Sequence, residues 1–266
     1  MDNLNTTNQK IFRQTIDAYN SKYEEYTKKL CNNTKVYEDL WSQDVDFERR
    51  NTKISVIVGD TVETGRSFVY DNINKVTAIL NFADGITPGG LVWQGASTQE
   101  EHICRCSNLY ASLMTDTASL YYEINNRSVK RLHKHIYADN VIYSKDTLFF
   151  RSGKDYRFLT NPYTMDVITC PAPSARLNEK DARLIMMSRI DSIIKSAILN
   201  NVDNLILGAW GCGAFGQNPR VVASCFKVIL DKYPAFDNVI FAIRNCGADY
   251  HAKTTNNYTV FKEILS

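Results

Sequence analysis

The chain is predicted to form a three-layer α/β/α domain around a largely parallel sheet. Five short, β-branched, nearly continuous apolar runs recur along it: Ile54–Val58, Val76–Phe82, Met165–Cys170, Asn204–Gly208 and Asn238–Ile243. Such runs suit strands buried on both faces rather than strands with one wet face. Helical patterns lie between several of them, and that alternation is the mark of a sheet covered by helices.

Taken in order, residues Gln9 to Leu30 carry apolar and aromatic side chains at Ile11, Phe12, Ile16, Tyr19, Tyr23, Tyr26 and Leu30. Steps of three to five residues predict an amphipathic helix laid on a larger body. Residues 31–50 are polar and mixed and read as a short helix or connection. Residues 1–50 are therefore expected to form a helical extension packed on a core of residues 51–266. The first strand, 54–58, ends at Gly59-Asp60-Thr61. Residues 98–114 read as a helix with a core-facing stripe of Ile103, Cys106, Tyr110, Leu113 and Met114. Val141–Ser144 and Thr147–Arg151, split by Lys145-Asp146, read as a hairpin at the sheet or its rim. Helices are expected over 179–200 and over 219–232, the latter with Pro219 in its first turn.

Composition narrows the function classes. With 266 residues, 44% hydrophobic and 23% charged, the chain has ample material for a core. A net charge of +2 gives no strong drive toward nucleic acid, so sequence-specific nucleic-acid binding is not expected. The polar N-terminus lacks the apolar segment of a signal peptide, and no run approaches the roughly 18 apolar residues that span a bilayer. Seven scattered cysteines form no disulfide framework. An intracellular setting without membrane attachment is expected: cytoplasmic, or nuclear in a eukaryote. Cys104-Arg105-Cys106 is not a metal-ligand spacing, and no metal or cofactor is expected. Arg127, Lys130, Arg131, His133, Lys134 and His135 read as a solvated basic face, with contact to a polyanionic substrate as the alternative.

Ligands of open α/β sheets sit beyond the carboxyl ends of the strands. Gly59-Asp60-Thr61, Pro88-Gly89-Gly90, Pro171-Ala172-Pro173 and the glycine-rich 208–216 loop all follow predicted strands. Paired glycines let backbone N–H groups approach a ligand, and the helix start at residues 98–101 adds donors and a positive dipole end. Phosphate binding alone does not explain Glu100 and Glu101 beside that loop, because like charges repel; the pair points to acid–base chemistry next to a bound anion. Ser97 to Glu100 and Thr98 to Glu101 each match a capping box, so one glutamate has a purely structural alternative. The 208–216 loop has two readings, a diphosphate cradle or a tight strand-to-helix connection. It is neither a P-loop nor a dinucleotide fingerprint.

Several segments together resemble the macrodomain fold and, within it, the microbial-type poly(ADP-ribose) glycohydrolases. They are Asn81-Phe82-Ala83; Gly89-Gly90-Leu91 followed after seven residues by Gln99-Glu100-Glu101; Cys104-Arg105-Cys106-Ser107-Asn108-Leu109-Tyr110; Asp166 to Pro173; and Gly208 to Phe215. The resemblance implies a macrodomain with a mixed, largely parallel sheet that binds ADP-ribose, its phosphates held by the two glycine-rich loops, with Gly89, Gly90, Leu91 and Gln99 on one side and Gly211, Cys212, Gly213 and Ala214 on the other as substrate-binding residues. It further implies Glu101 as the catalytic acid, kept protonated with help from the neighbouring charge of Glu100, which holds ribose hydroxyls. Asn81 would meet the distal ribose, Phe215 would pack over it, and Asp60 would meet adenine. The expected activity is hydrolysis of ribose–ribose O-glycosidic bonds in poly(ADP-ribose) on modified proteins, by a monomer. The family pattern has a third glycine where this chain has Leu91. A leucine forced to positive φ would be strained, and its bulk leaves mono-ADP-ribosyl hydrolysis, for example at arginine, and non-catalytic ADP-ribose binding as alternatives.

Overall fold

Seven strands form one mixed sheet in the computed structural model, which describes residues 2–132, 137–173, 179–244 and 256–266. They are β1 (Lys35–Tyr37), β2 (Lys53–Val58), β3 (Thr77–Phe82), β4 (Val141–Arg151), β5 (Phe158–Cys170), β6 (Asn204–Leu207) and β7 (Asn238–Ile243). Their order across the sheet is β1-β4-β5-β3-β6-β7-β2. The pairs β5/β3, β3/β6, β6/β7 and β7/β2 are parallel; β4 joins β5, and β1 joins β4, antiparallel.

The central strands are mainly apolar because both faces are covered, with Asn81 on β3 among the buried polar exceptions. On β3, Ala78 and Leu80 enter one hydrophobic cluster and Ile79 the other. The same alternation holds on β6, with Leu205 and Leu207 opposite Ile206, and on β7, with Val239 and Phe241 opposite Ile240. Nine helices occupy the described residues: α1 (Asp2–Tyr19), α2 (Glu24–Asn33), α3 (Thr61–Asp71), α4 (Gln99–Cys106), α5 (Leu109–Leu113), α6 (Asp116–Leu132), α7 (Glu179–Leu199), α8 (Pro219–Lys232) and α9 (Asn257–Leu265). One face of the sheet receives Ile190, Ile194, Phe226 and Phe261 from α7, α8 and α9. The other receives Phe12, Val62, Ile103, Leu109 and Tyr121 from α1, α3, α4, α5 and α6. Full burial of each large side chain contributes about 1.5–3 kcal/mol, so both layers are needed. None of the described helices is long and apolar enough to cross a membrane.

Three expectations change. The predicted N-terminal helix breaks at residues 20–23 into α1 and α2, and residues 35–37 add the edge strand β1. Lys145-Asp146 is a bulge inside the continuous strand β4, not a hairpin turn. The register against β5 shifts between Ser144 and Thr147, Asp146 takes φ 59°, and its N–H donates to Asp166 Oδ1 at 2.8 Å. The helix predicted over 98–114 stops at Ser107, which bridges to Phe149. Asn108 there accepts from Leu148 N–H and donates to Thr27, so the chain restarts as α5.

Candidate active site

A cavity of about 480 Å³ opens beyond the carboxyl ends of β2, β3, β6 and β7. That is the size range of small-ligand sites. Asp60, Gly90, Leu91, Gln99, Glu100 and Glu101 line one side, and Gly211, Gly213, Ala214 and Phe215 the other. Among the described residues Asn81, Gly89 and Cys212 do not line it.

The loop after β3 needs both its glycines, for reasons inside the protein. Gly89 and Gly90 adopt φ +69° and +58°. A Cβ on Gly89 would fall 2.8 Å from the Tyr110 ring; one on Gly90 would fall 2.5 Å from Glu101 Oε1 and 3.0 Å from Glu100 Oε2. Leu91, by contrast, has φ −98°, so leucine is unstrained there and the expected backbone penalty does not arise. Its side chain is 50% exposed and faces the cavity, while its N–H donates to Glu101 Oε1 at 2.9 Å. The third glycine's replacement changes the shape of the cavity wall rather than the fold of the loop.

The two glutamates stand in the first turn of α4, 2% and 4% exposed. Glu100 Oε1 accepts from Asn81 Nδ2 at 3.2 Å and Oε2 from Asp84 N–H at 2.7 Å. Burial pushes the Glu100 carboxyl well above its usual range, against the hydrogen bonds from Asp84 and Asn81 and reinforced by Glu101 beside it. Burial thus opposes the charged form of Glu100, while the donors on both its oxygens favour it. Thr98 is the N-cap residue, yet its hydroxyl bonds the carboxylate of Glu101 and caps no backbone N–H. The capping box is therefore right about where the helix starts and wrong about the bond.

Gln99 is a bracket. Its oxygen accepts from Phe82 N–H at 2.8 Å, and its nitrogen donates to Leu80 O at 2.7 Å and Thr61 Oγ1 at 3.1 Å. The start of α4 is tied in this way to β3 and α3. Asn81 is fully buried behind Glu100 and also donates to Thr169, so here it braces a glutamate. Asp60 caps α3, accepting from Val62 and Glu63 N–H, and pairs with Arg244, whose Nε lies 3.1 Å from Oδ2. Burial would raise this carboxyl; His102, 3.4 Å away, and Arg244 outweigh it and hold Asp60 well below the usual carboxylate range.

The second glycine loop is built differently. Gly211 has φ +79° and packs against Ala172 and Gln217, but a Cβ on Gly213 meets no heavy atom of the described residues within 4 Å. Phe215 leans on the α7–α8 cluster while facing the cavity, and Cys212 packs into that cluster with its thiol 3.8 Å from Trp210 O. Arg244, Thr98 and Asp84 also line the site, and the sequence reading gave them no role in it. Arg244 follows a strand end as the other loops do, the one signal that points to it. Among the described residues no three His, Cys, Asp or Glu side chains cluster as metal ligands, and buried Cys104 and Cys106 have thiols pushed up by burial. Arg127 pairs with Glu123 on α6; His133, Lys134 and His135 lie outside the described residues.

Residues 5–152 match the family described as microbial-type PARG, catalytic domain. Poly(ADP-ribose) glycohydrolase from Thermomonospora curvata superposes with a TM-score of 0.84 at 24% identity, covering 98% of this chain and 100% of that one. The same enzyme bound to the inhibitor ADP-HPD gives 0.82 at 24% identity, over 97% and 99%. Poly(ADP-ribose) glycohydrolase from Deinococcus radiodurans in complex with ADP-ribose gives 0.75 at 28% identity, over 89% of this chain and 96% of that one. No curated protein matches the chain.

Proposed function

The chain belongs to the microbial-type poly(ADP-ribose) glycohydrolase family, and on that premise we propose that its cavity binds one ADP-ribosyl unit and hydrolyses the ribose–ribose O-glycosidic bond of poly(ADP-ribose), reversing protein ADP-ribosylation. The observation that carries this reading is the contact between the Gly89-Gly90 loop and two adjacent buried carboxyls, so close that a single methyl on Gly90 would strike Glu101. A loop that only held phosphate would have no use for that contact.

Glu101 protonates the leaving ribose oxygen as the bond to the anomeric carbon breaks and an oxocarbenium-like centre develops. It then takes a proton from the attacking water as the new C–O bond forms, and the acid is restored. Glu100, braced by Asn81 and Asp84 N–H, holds ribose hydroxyls. The Gly89–Leu91 and Gly211–Ala214 loops flank the diphosphate, and Phe215 packs over the distal ribose. Asp60 is engaged by Arg244, His102 and the start of α3, so recognition of adenine there falls to the Asp60–Arg244 pair as a unit. The monomeric state is part of the same proposal.

A second substrate class is favoured by one observation: Leu91 places a half-exposed side chain where the family pattern has glycine. Mono-ADP-ribosyl groups on a protein side chain are that class. Incubation with poly- and mono-ADP-ribosylated proteins separates the two, read as ADP-ribose released. Release from the polymer supports the proposal, and release from the mono-modified protein alone replaces it with the second reading. Binding of ADP-ribose without release from either makes the chain a reader rather than an enzyme. Leu91→Gly is expected to raise turnover of the polymer while leaving the fold intact.

A further inference from the structure

The two oxygens of the Glu101 carboxyl face partners of different kinds. Oε1 accepts from the Leu91 backbone N–H at 2.9 Å. An amide N–H only donates, so a proton placed on Oε1 toward that partner would set hydrogen against hydrogen. Oε2 meets the hydroxyl of Thr98, which donates to a carboxylate and accepts from a carboxylic acid. Nothing else in the helix start claims that hydroxyl: although Thr98 is the N-cap residue, it makes no side-chain cap bond among the described residues. Thr98 also lines the cavity.

We propose that Thr98 is a positioning residue that fixes Oε2 of Glu101 as the oxygen that gives up and recovers the catalytic proton. This inference rests on the reading of Glu101 as the general acid–base. In the acid form Oε2 carries the proton and Oε1 keeps its bond to Leu91 N–H. As the glycosidic bond breaks, the Oε2 proton passes to the leaving ribose oxygen, and the Thr98 hydroxyl donates to the carboxylate left behind. As water adds to the anomeric carbon, its proton returns to Oε2. One proton leaves and one returns; the Thr98 proton is never transferred, and the hydroxyl only rotates. Leu91 N–H and Thr98 together also stop the carboxyl from turning about its last bond, which keeps one oxygen aimed at the leaving group.

The test compares Thr98→Val, which removes the hydroxyl at nearly constant shape, with Thr98→Ser, which keeps it. Turnover of poly(ADP-ribose) and ADP-ribose affinity by calorimetry are measured on both, with thermal melting as a check of folding. A hydrogen bond to a charged group is worth about ten- to hundred-fold, so kcat of Thr98→Val is expected to fall by about that factor. KM and the ADP-ribose Kd should stay near wild type, and Thr98→Ser should recover most of kcat. Should Thr98→Val misfold, Thr98→Ala serves as the second hydroxyl-free variant, with the same expectation. A hydroxyl-free variant with wild-type kcat, or a serine variant as impaired as valine, overturns the role of Thr98. If instead wild type releases no ADP-ribose, or Glu101→Gln is fully active, the reading of the site itself fails and this inference with it.

Discussion

The two glycine-rich loops around the cavity look alike in sequence and differ in what stands where a side chain would go. After β3, Gly89 and Gly90 hold positive φ, and the space a side chain would need is already taken by Tyr110, Glu100 and Glu101. After β6, a Cβ on Gly213 would meet no heavy atom of the described residues within 4 Å. In the first loop the missing side chains let the protein press its own acids against the backbone; in the second, Gly211 packs against Ala172 and Gln217 while Gly213 lines the cavity. Motif counting treats the two as equal, and only the location of the missing Cβ tells them apart.

That contrast is open to attack by substitution. Gly90→Ala should have the largest effect. Alanine at positive φ costs about 1–2 kcal/mol, and relief of the contact with Glu101 must shift the acid; a displacement of about 1 Å is enough for about a hundred-fold loss. Turnover of poly(ADP-ribose) is therefore expected to fall by at least about that factor, with a lower melting temperature. Wild-type kinetics in Gly90→Ala would remove the steric account of the loop.

An intermediate effect is expected at Glu100, read here in stability. Its folded-state pKa is raised, so between the unfolded value near 4.3 and the folded one the native state binds more protons than the unfolded chain. Stability contributed by this group is present at low pH and falls as pH rises through that window. The melting temperature of Glu100→Gln relative to wild type should therefore be more favourable at neutral pH than near pH 4. A relative melting temperature that improves on acidification would contradict the assignment. Asp60, on the same cavity wall, carries the opposite sign: its depressed pKa gives stability that is present above about pH 3.9 and is lost as pH falls through the folded value.

The smallest effect on folding belongs to Gly213→Ala. Melting should stay within about 0.5 kcal/mol of wild type, as for other surface changes, while ADP-ribose Kd rises because the new methyl occupies ligand space. Unchanged affinity would mean that this part of the second loop does not face the ligand.

The parallel strands were legible because burial on both faces leaves mostly Val, Ile, Leu, Ala and Phe in β3, β6 and β7, and α8 was legible from Pro219 and its apolar stripe. The paired glutamates and both glycine loops could be read as one site because strand ends converge in this class of fold. What stayed hidden depends on partners distant in the chain. Ser107 ends α4 because Phe149 bridges to it, and Asp146 bulges because Asp166 accepts its N–H. Gln99 and Asn81 sit within the recognisable motifs, but their amides turn to β3, Thr169 and Glu100. Leu91 looked strained on the assumption of a positive φ that its backbone does not have. No local pattern could announce that Thr98 would leave its capping bond for Glu101.

The central claim is that Glu101, held between Leu91 N–H and Thr98, performs the acid–base step on a bound ADP-ribosyl unit. Its most direct test is ADP-ribose release from poly-ADP-ribosylated protein by wild type and Glu101→Gln, with the ADP-ribose Kd of both measured alongside. Loss of one general acid–base group predicts a fall of about 10²- to 10⁴-fold in release with affinity largely retained. Equal release by the two proteins would contradict the claim.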